Sequence, residues 1–102
     1  MERLLAAAST PDGKKVTLTR DDWLYVRLRH PEVGNNPAAL LQAVSHPDEI
    51  HQDRRGGHHA LKRIDQRHFL VVIYEFAEGR GGLIRTAFII NEKRKKRRYR
   101  TP

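Results

Sequence analysis

The chain has 102 residues, 38% of them hydrophobic, and a formal net charge of +8. That length allows one domain with a modest core and leaves little room for a deep cofactor cavity. Cysteine is absent, which excludes disulfide staples, zinc–thiolate sites and thiol nucleophiles.

The segment 3–8 is short and, from Leu4, apolar; together with Met1 and Glu2 it is too short and too early-broken for a secretory signal. Nothing else addresses the chain to a membrane, so a cytoplasmic location is the expectation. Ser9-Thr10-Pro11-Asp12-Gly13 is a turn signal, because proline presets φ and glycine accepts positive φ. Lys14-Lys15-Val16-Thr17-Leu18 then alternates polar and apolar like a half-buried strand. An N-terminal hairpin is the economical reading.

Thr19 offers a hydroxyl N-cap, with Asp21 and Asp22 in the first turn, where the helix dipole favours carboxylates. A first helix is predicted from about Arg20 to His30, with Trp23, Val26 and His30 on one face and Leu24 and Leu28 beside them. Pro31 ends it and leaves His30 in the last turn. Asn36-Pro37 opens a second helix through about Val44. Residues 49–52 read as a short strand, Asp53-Arg54-Arg55-Gly56-Gly57 as a turn, and 58–64 as a further strand. His68–Phe76 and Leu83–Ile90 are dense apolar runs separated by a segment with three glycines, the pattern of a β-hairpin.

The expected fold is therefore α+β: an N-terminal hairpin and two helices packed on a three- to four-stranded antiparallel sheet. The face away from the helices is expected to be open and basic. Residues 1–91 form this domain in the reading, and 92–102 a basic C-terminal tail. The tail holds seven Lys or Arg against one Glu, so it carries +6 of the charge and the body only +2. Such a segment is either a solvated end or an arm that binds polyanions with steep salt dependence.

Gly79-Arg80-Gly81-Gly82 lacks the lysine and following helix of a phosphate loop. The six histidines have no metal spacing, since adjacent His58 and His59 point to opposite faces of a strand. No metal and no cofactor are expected. What recurs is His, Arg, Lys and one Thr around a sheet, a set suited to cleaving RNA without a metal. That reaction needs a base for the 2′-hydroxyl proton, cations for the charge developing on phosphorus, and an acid for the 5′-oxygen. Histidine suits either proton role, and the arginine fork matches two phosphate oxygens.

Val16-Thr17-Leu18-Thr19-Arg20-Asp21-Asp22-Trp23, followed by Arg29-His30-Pro31-Glu32, resembles the first-helix segment of phage-associated nucleases in the Barnase–EndoU–Colicin–RelE (BECR) superfamily. Pro47-Asp48-Glu49-Ile50, Lys62-Arg63, Phe69-Leu70-Val71-Val72-Ile73 and Ile84-Arg85-Thr86-Ala87-Phe88 extend the resemblance over roughly residues 14–90. It implies a BECR-like fold and a RelE-like endoribonuclease toxin with its cleft on the sheet face away from the helices. An acidic antitoxin or immunity protein is the implied partner besides RNA.

Carried onto this sequence, the resemblance implies catalytic roles for His30, Glu32, Lys62, Arg63 and Thr86. RNA-binding candidates are Arg54, Arg55, His58, His59 and Arg85, with Arg97, Arg98, Tyr99 and Arg100 near the C-terminus, where Tyr99 could stack on a base. Each has a plainer alternative: His30 as a helix cap, Glu32 as a loop brace, Thr86 as a satisfied core hydroxyl. Lys62 and Arg63 face opposite sides of their strand, so only one can line a cleft. The alternatives for the whole chain are a non-catalytic RNA-binding module and a basic protein-interaction adaptor.

Overall fold

In the computed structural model, which describes residues 4–100, the Thr10–Gly13 turn closes a hairpin of β1 (Leu4–Ser9) and β2 (Lys15–Thr19). Residues 1–3 of the expected domain and 101–102 of the expected tail lie outside the described residues. Thr10 makes the turn's internal bonds: its hydroxyl donates to Asp12 and accepts from the Lys14 N–H. Thr19 then caps α1 (Arg20–Arg29), its Oγ1 accepting from the Asp22 N–H at 3.1 Å. A 3-10 turn (Pro31–Val33) leads to α2 (Ala38–Ser45), where the Asn36 side chain accepts from the Ala38 N–H. The rest of the chain is β3 (Glu49–Gln52), β4 (His58–Arg63), β5 (His68–Ala77), β6 (Gly81–Asn91) and α3 (Glu92–Arg98).

The fold is α+β, with three α-helices and one mixed six-stranded sheet among the described residues. The strand order is β1-β2-β6-β5-β4-β3, and only the β2–β6 pairing is parallel. This corrects the expected three- to four-stranded antiparallel sheet. The N-terminal hairpin is part of the sheet, joined through Val16↔Gly82 and Thr17↔Leu83, with the Thr17 hydroxyl donating to the Gly82 carbonyl at 3.2 Å. Gly82 makes that approach possible: a Cβ there would lie 2.8 Å from Val16 Cγ2 and 3.0 Å from the Phe76 ring.

One face of the sheet is covered by α1 and α2. Trp23, Val26, Leu40, Ala43 and Val44 pack there on Val16, Leu18, Ala60, Leu70, Val72, Tyr74, Ile84 and Ala87. The buried stripe of α1 is narrower than expected, since Leu24 and Leu28 are exposed. The other face is not simply open and polar. Leu61, Phe69, Val71 and Ile90 form a second cluster with Tyr99, flanked by Ile73 and Phe88. A central strand buried on both faces reads as an unbroken apolar run, which is what Phe69–Tyr74 is.

The cover of this second face is the basic segment itself. Instead of a tail after residue 91, it forms α3, capped by Asn91 Oδ1 accepting from the Arg94 N–H. A seven-residue helix dense in like charges has no stability alone, so its contacts with the sheet hold it. Glu92 meets Arg63 at 3.2 Å, Lys95 pairs with Glu49, and Tyr99 is only 8% exposed. Lysines and arginines in the last turn also suit the negative end of the helix dipole.

Gly82→Ala overpacks the β2–β6 junction and is expected to lower stability by about 1–3 kcal/mol. Urea denaturation of the two proteins checks this, an unchanged midpoint being the contrary result.

Candidate functional site

Two cavities flank α3 on this second face, and they share Arg98. The larger, of about 700 Å³, is lined by His30, Glu32, Arg85, Thr86, Phe88, Arg94 and Arg98, with Asp22 and Tyr25 from α1. Three parts of the chain meet here. His30 is the C-cap of α1, its N–H bonded to the Val26 carbonyl at 2.7 Å; Pro31 fixes the exit, and Glu32 follows within the 3-10 turn. The His30 Nδ1 lies 3.4 Å from Glu32 Oε2, and the ring lies 5.7 Å from that of Phe88. The imidazole is half-buried, within the same cavity as three guanidiniums.

The β6 contribution depends on a register shift. Ile73 pairs with Thr86 but the next residue, Tyr74, pairs with Ile84, so Arg85 is the extra residue of a bulge, a device that re-aims side chains. Ile84 therefore packs under the helices while Thr86 and Phe88 share the opposite face. Strict alternation had grouped Thr86 with Ile84, and the bulge separates them. Arg85 lies 3.7 Å from Asp22 and 3.6 Å from Glu75, so part of its charge is balanced. Arg98 stacks over Phe88 at 4.9 Å and, like Arg94, has no carboxylate partner among the described residues.

The smaller cavity, of about 560 Å³, is lined by Arg54 and Arg55 from the β3–β4 turn and by Arg98, Tyr99 and Arg100 from the end of α3. A hydrogen-bonded chain, buried at His59 and Tyr99 and exposed at Asp53, forms its floor. His59, 7% exposed, meets the Tyr99 hydroxyl through Nδ1 and Asp53 Oδ2 through Nε2, both at 2.8 Å. Asp53 Oδ1 accepts from the Arg55 and Gly57 N–H groups at 2.8 and 2.9 Å. The His59 bond, followed by the Gly57 N–H, holds the Asp53 carboxyl down to about 2 against some desolvation, and burial pushes the Tyr99 phenol up.

The remaining sequence-derived candidates lie elsewhere. Lys62 is on the helix-covered side and donates to the His46 carbonyl at 2.8 Å, a bond that closes the end of α2. Arg63 is on the α3 side, 4.4 Å over the Phe69 ring, and bonds the Asp65 and Gln66 carbonyls as well as Glu92. Neither lines the cavity of His30. Their adjacency in sequence carried no information about these partners.

His58 stacks on Tyr74 at 5.2 Å, beside the N-terminal turn, on the face opposite to His59. Arg97 lies apart from both cavities, in a smaller hollow of about 220 Å³ with Arg94 and Arg98. The Tyr99 ring is packed between His51 and His59, at 4.9 and 5.5 Å, and is not open for a base to stack on.

Arg94, Tyr25 and Asp53 were not singled out from the sequence. Arg94 was signalled by its i, i+4 spacing to Arg98. Asp53 reaches His59 only because the β3–β4 turn folds back, which no spacing shows. Among the described residues no three His, Asp or Glu gather as metal ligands, and no helix is long and apolar enough to cross a membrane. Comparisons with protein-family models, with curated proteins and with solved structures return no match for this chain.

Because the Asp53 carboxyl titrates lower in the folded chain than its ordinary 3.8, its stabilising effect is complete above about pH 4 and fades as pH falls toward about 2. Asp53→Asn is expected to destabilise the fold at neutral pH. The gap from the wild type should close across that acid window in urea melts followed against pH; a gap independent of pH would contradict this.

Proposed function

We propose that this chain is a metal-independent endoribonuclease, RelE-like in its chemistry, that cleaves RNA by attack of a 2′-hydroxyl on the adjacent phosphate. One observation carries the proposal: a single cavity collects an imidazole with a carboxylate beside it, three guanidiniums and a hydroxyl from α1, β6 and α3. A binding surface needs the guanidiniums alone. The imidazole–carboxylate pair adds the means to move a proton.

With His30 Nδ1 directed at Glu32, Nε2 is the nitrogen left to take the ribose 2′-hydroxyl proton. The 2′-oxygen attacks phosphorus, the bond to the 5′-oxygen breaks, and a 2′,3′-cyclic phosphate remains. Arg94 and Arg98, without a carboxylate partner among the described residues, hold the nonbridging oxygens as negative charge builds on them. Arg85, tethered between Asp22 and Glu75, positions the strand more than it neutralises it. Thr86 offers its hydroxyl to the substrate, and Tyr25, exposed on the cavity wall, supplies the proton taken by the 5′-oxygen.

The BECR resemblance agrees with this chemistry and with a cleft on the face away from α1 and α2. It adds a toxin role in the cytoplasm and an acidic antitoxin or immunity protein as partner. Lys62 and Arg63, first considered catalytic, have structural partners and take no part. A non-catalytic RNA-binding module is the second reading, favoured by the smaller cavity, where four guanidiniums face one carboxylate.

Purified protein incubated with RNA and EDTA is expected to cleave it. His30→Ala should lower the rate by about 10²–10⁴ while the protein still unfolds cooperatively in urea, and Lys62→Gln should leave the rate at the wild-type level. Undiminished cleavage by His30→Ala would overturn the assignment; binding without any cleavage would favour the second reading.

A further inference from the structure

The cleavage chemistry uses nothing of the smaller cavity except Arg98, yet that cavity is the more strongly positive of the two. Arg54, Arg55, Arg98 and Arg100 line it, and none has a carboxylate partner among the described residues. Its one lining carboxylate, Asp53, is already engaged: one oxygen takes two backbone N–H groups of its own turn and the other faces His59. Drawing four like charges together costs energy that a bound anion would offset.

We propose that this cavity is a second phosphate site, seating one phosphodiester of the RNA strand whose neighbouring segment lies against His30. The proposal rests on the cleavage reading for its ligand, and the strand would cross the end of α3. Arg98 lines both cavities and so touches the backbone on either side of that ridge. Guanidinium forks suit phosphate oxygens in pairs, and they arrive here in pairs from two separate segments.

What distinguishes the cavity from an ordinary surface cluster of arginines is its floor. The Asp53–His59–Tyr99 chain ties the turn bearing Arg54 and Arg55 to the helix end bearing Arg98 and Arg100. An imidazole and a phenol are buried to make that tie, with both imidazole nitrogens bonded. Gly57 is part of the same construction, because a Cβ there would fall 2.5 Å from Asp53 Oδ2. Asp53, His59 and Gly57 are thus positioning residues, acting on phosphate through the arginines they align.

The test is fluorescence anisotropy with a short 2′-O-methyl RNA, which cannot be cleaved, over a salt series. Arg54→Gln/Arg55→Gln is compared with Arg20→Gln/Arg67→Gln, which removes the same charge from exposed positions outside both cavities. If that one phosphate contact is lost, the slope of log affinity against log salt falls by about 0.7 in the first variant. Binding in that variant should weaken roughly tenfold or more relative to the charge-matched control.

Gly57→Ala, which keeps every arginine, should also weaken binding by dislodging Asp53. Inorganic phosphate at equal concentration should leave the RNA bound; displacement by it would identify a free-anion site and overturn the assignment to a strand. Equal affinity and slope in the two double variants would overturn the second site altogether. Because the probe resists cleavage, this failure would leave the His30 chemistry standing, and a protein that never cleaves RNA can still pass the binding test.

Discussion

The docking of Tyr99 onto the sheet is the constraint on which the rest of the molecule depends. Full burial of a large side chain contributes on the order of 2–3 kcal/mol, and the phenol adds a buried hydrogen bond to His59. Against this stands the mutual repulsion of the basic residues of α3, distributed over a helix too short to persist by itself. The balance is tipped by Glu49 and Glu92, which take Lys95 and Arg63, and by the Phe69 and Phe88 rings, which lie beneath Arg63, Lys95 and Arg98. Exposed ion pairs bring little each. The aromatic floor and the buried phenol do most of the holding.

Once α3 is seated, the two cavities follow as its flanks. The i, i+4 pair Lys95 and Tyr99 faces β3, β4 and β5, while Arg94 and Arg98, spaced in the same way, face β6 and the end of α1. The β6 bulge and the Pro31 stop on α1 bring Arg85, Thr86 and His30 to the same place. Strand β2 meets β6 only at Val16 and Thr17 and runs straight into α1, and the imidazole at that helix's end shares a cavity with the guanidiniums of β6 and α3. Local chain chemistry, in the form of a cap, a proline and a bulge, sets the positions of the groups proposed for proton transfer and phosphate binding.

Much of this architecture was legible in the residues. Thr19, Pro31 and Asn36 marked helix ends; the glycine-rich break marked the β5–β6 hairpin; His58 and His59 had to point apart. The parallel β2–β6 contact was not legible, because the pairing strands are some sixty residues apart and only Gly82, a position without a Cβ, hints at a close approach. Helix α3 was missed for a different reason. Lys93 to Arg98 has no apolar period to read, and the evidence for helix lay in the Asn91 cap and the fair helix propensity of Lys and Arg. The unbroken apolar run of β5 already demanded a second cover, a demand that Tyr99 meets. Of the residues proposed for the site, His30, Glu32, Arg85, Thr86 and Arg98 meet in one cavity. Lys62 and Arg63 do not, because a strand's alternation sends each to a different structural partner.

The central claim is that the imidazole and guanidiniums around α3 break RNA through its own 2′-hydroxyl. Mass spectrometry of the ends produced from RNA in the presence of a chelator tests it most directly. The account predicts 2′,3′-cyclic phosphates with 5′-hydroxyl partners; ends bearing 5′-phosphates and 3′-hydroxyls, or intact RNA, would contradict it.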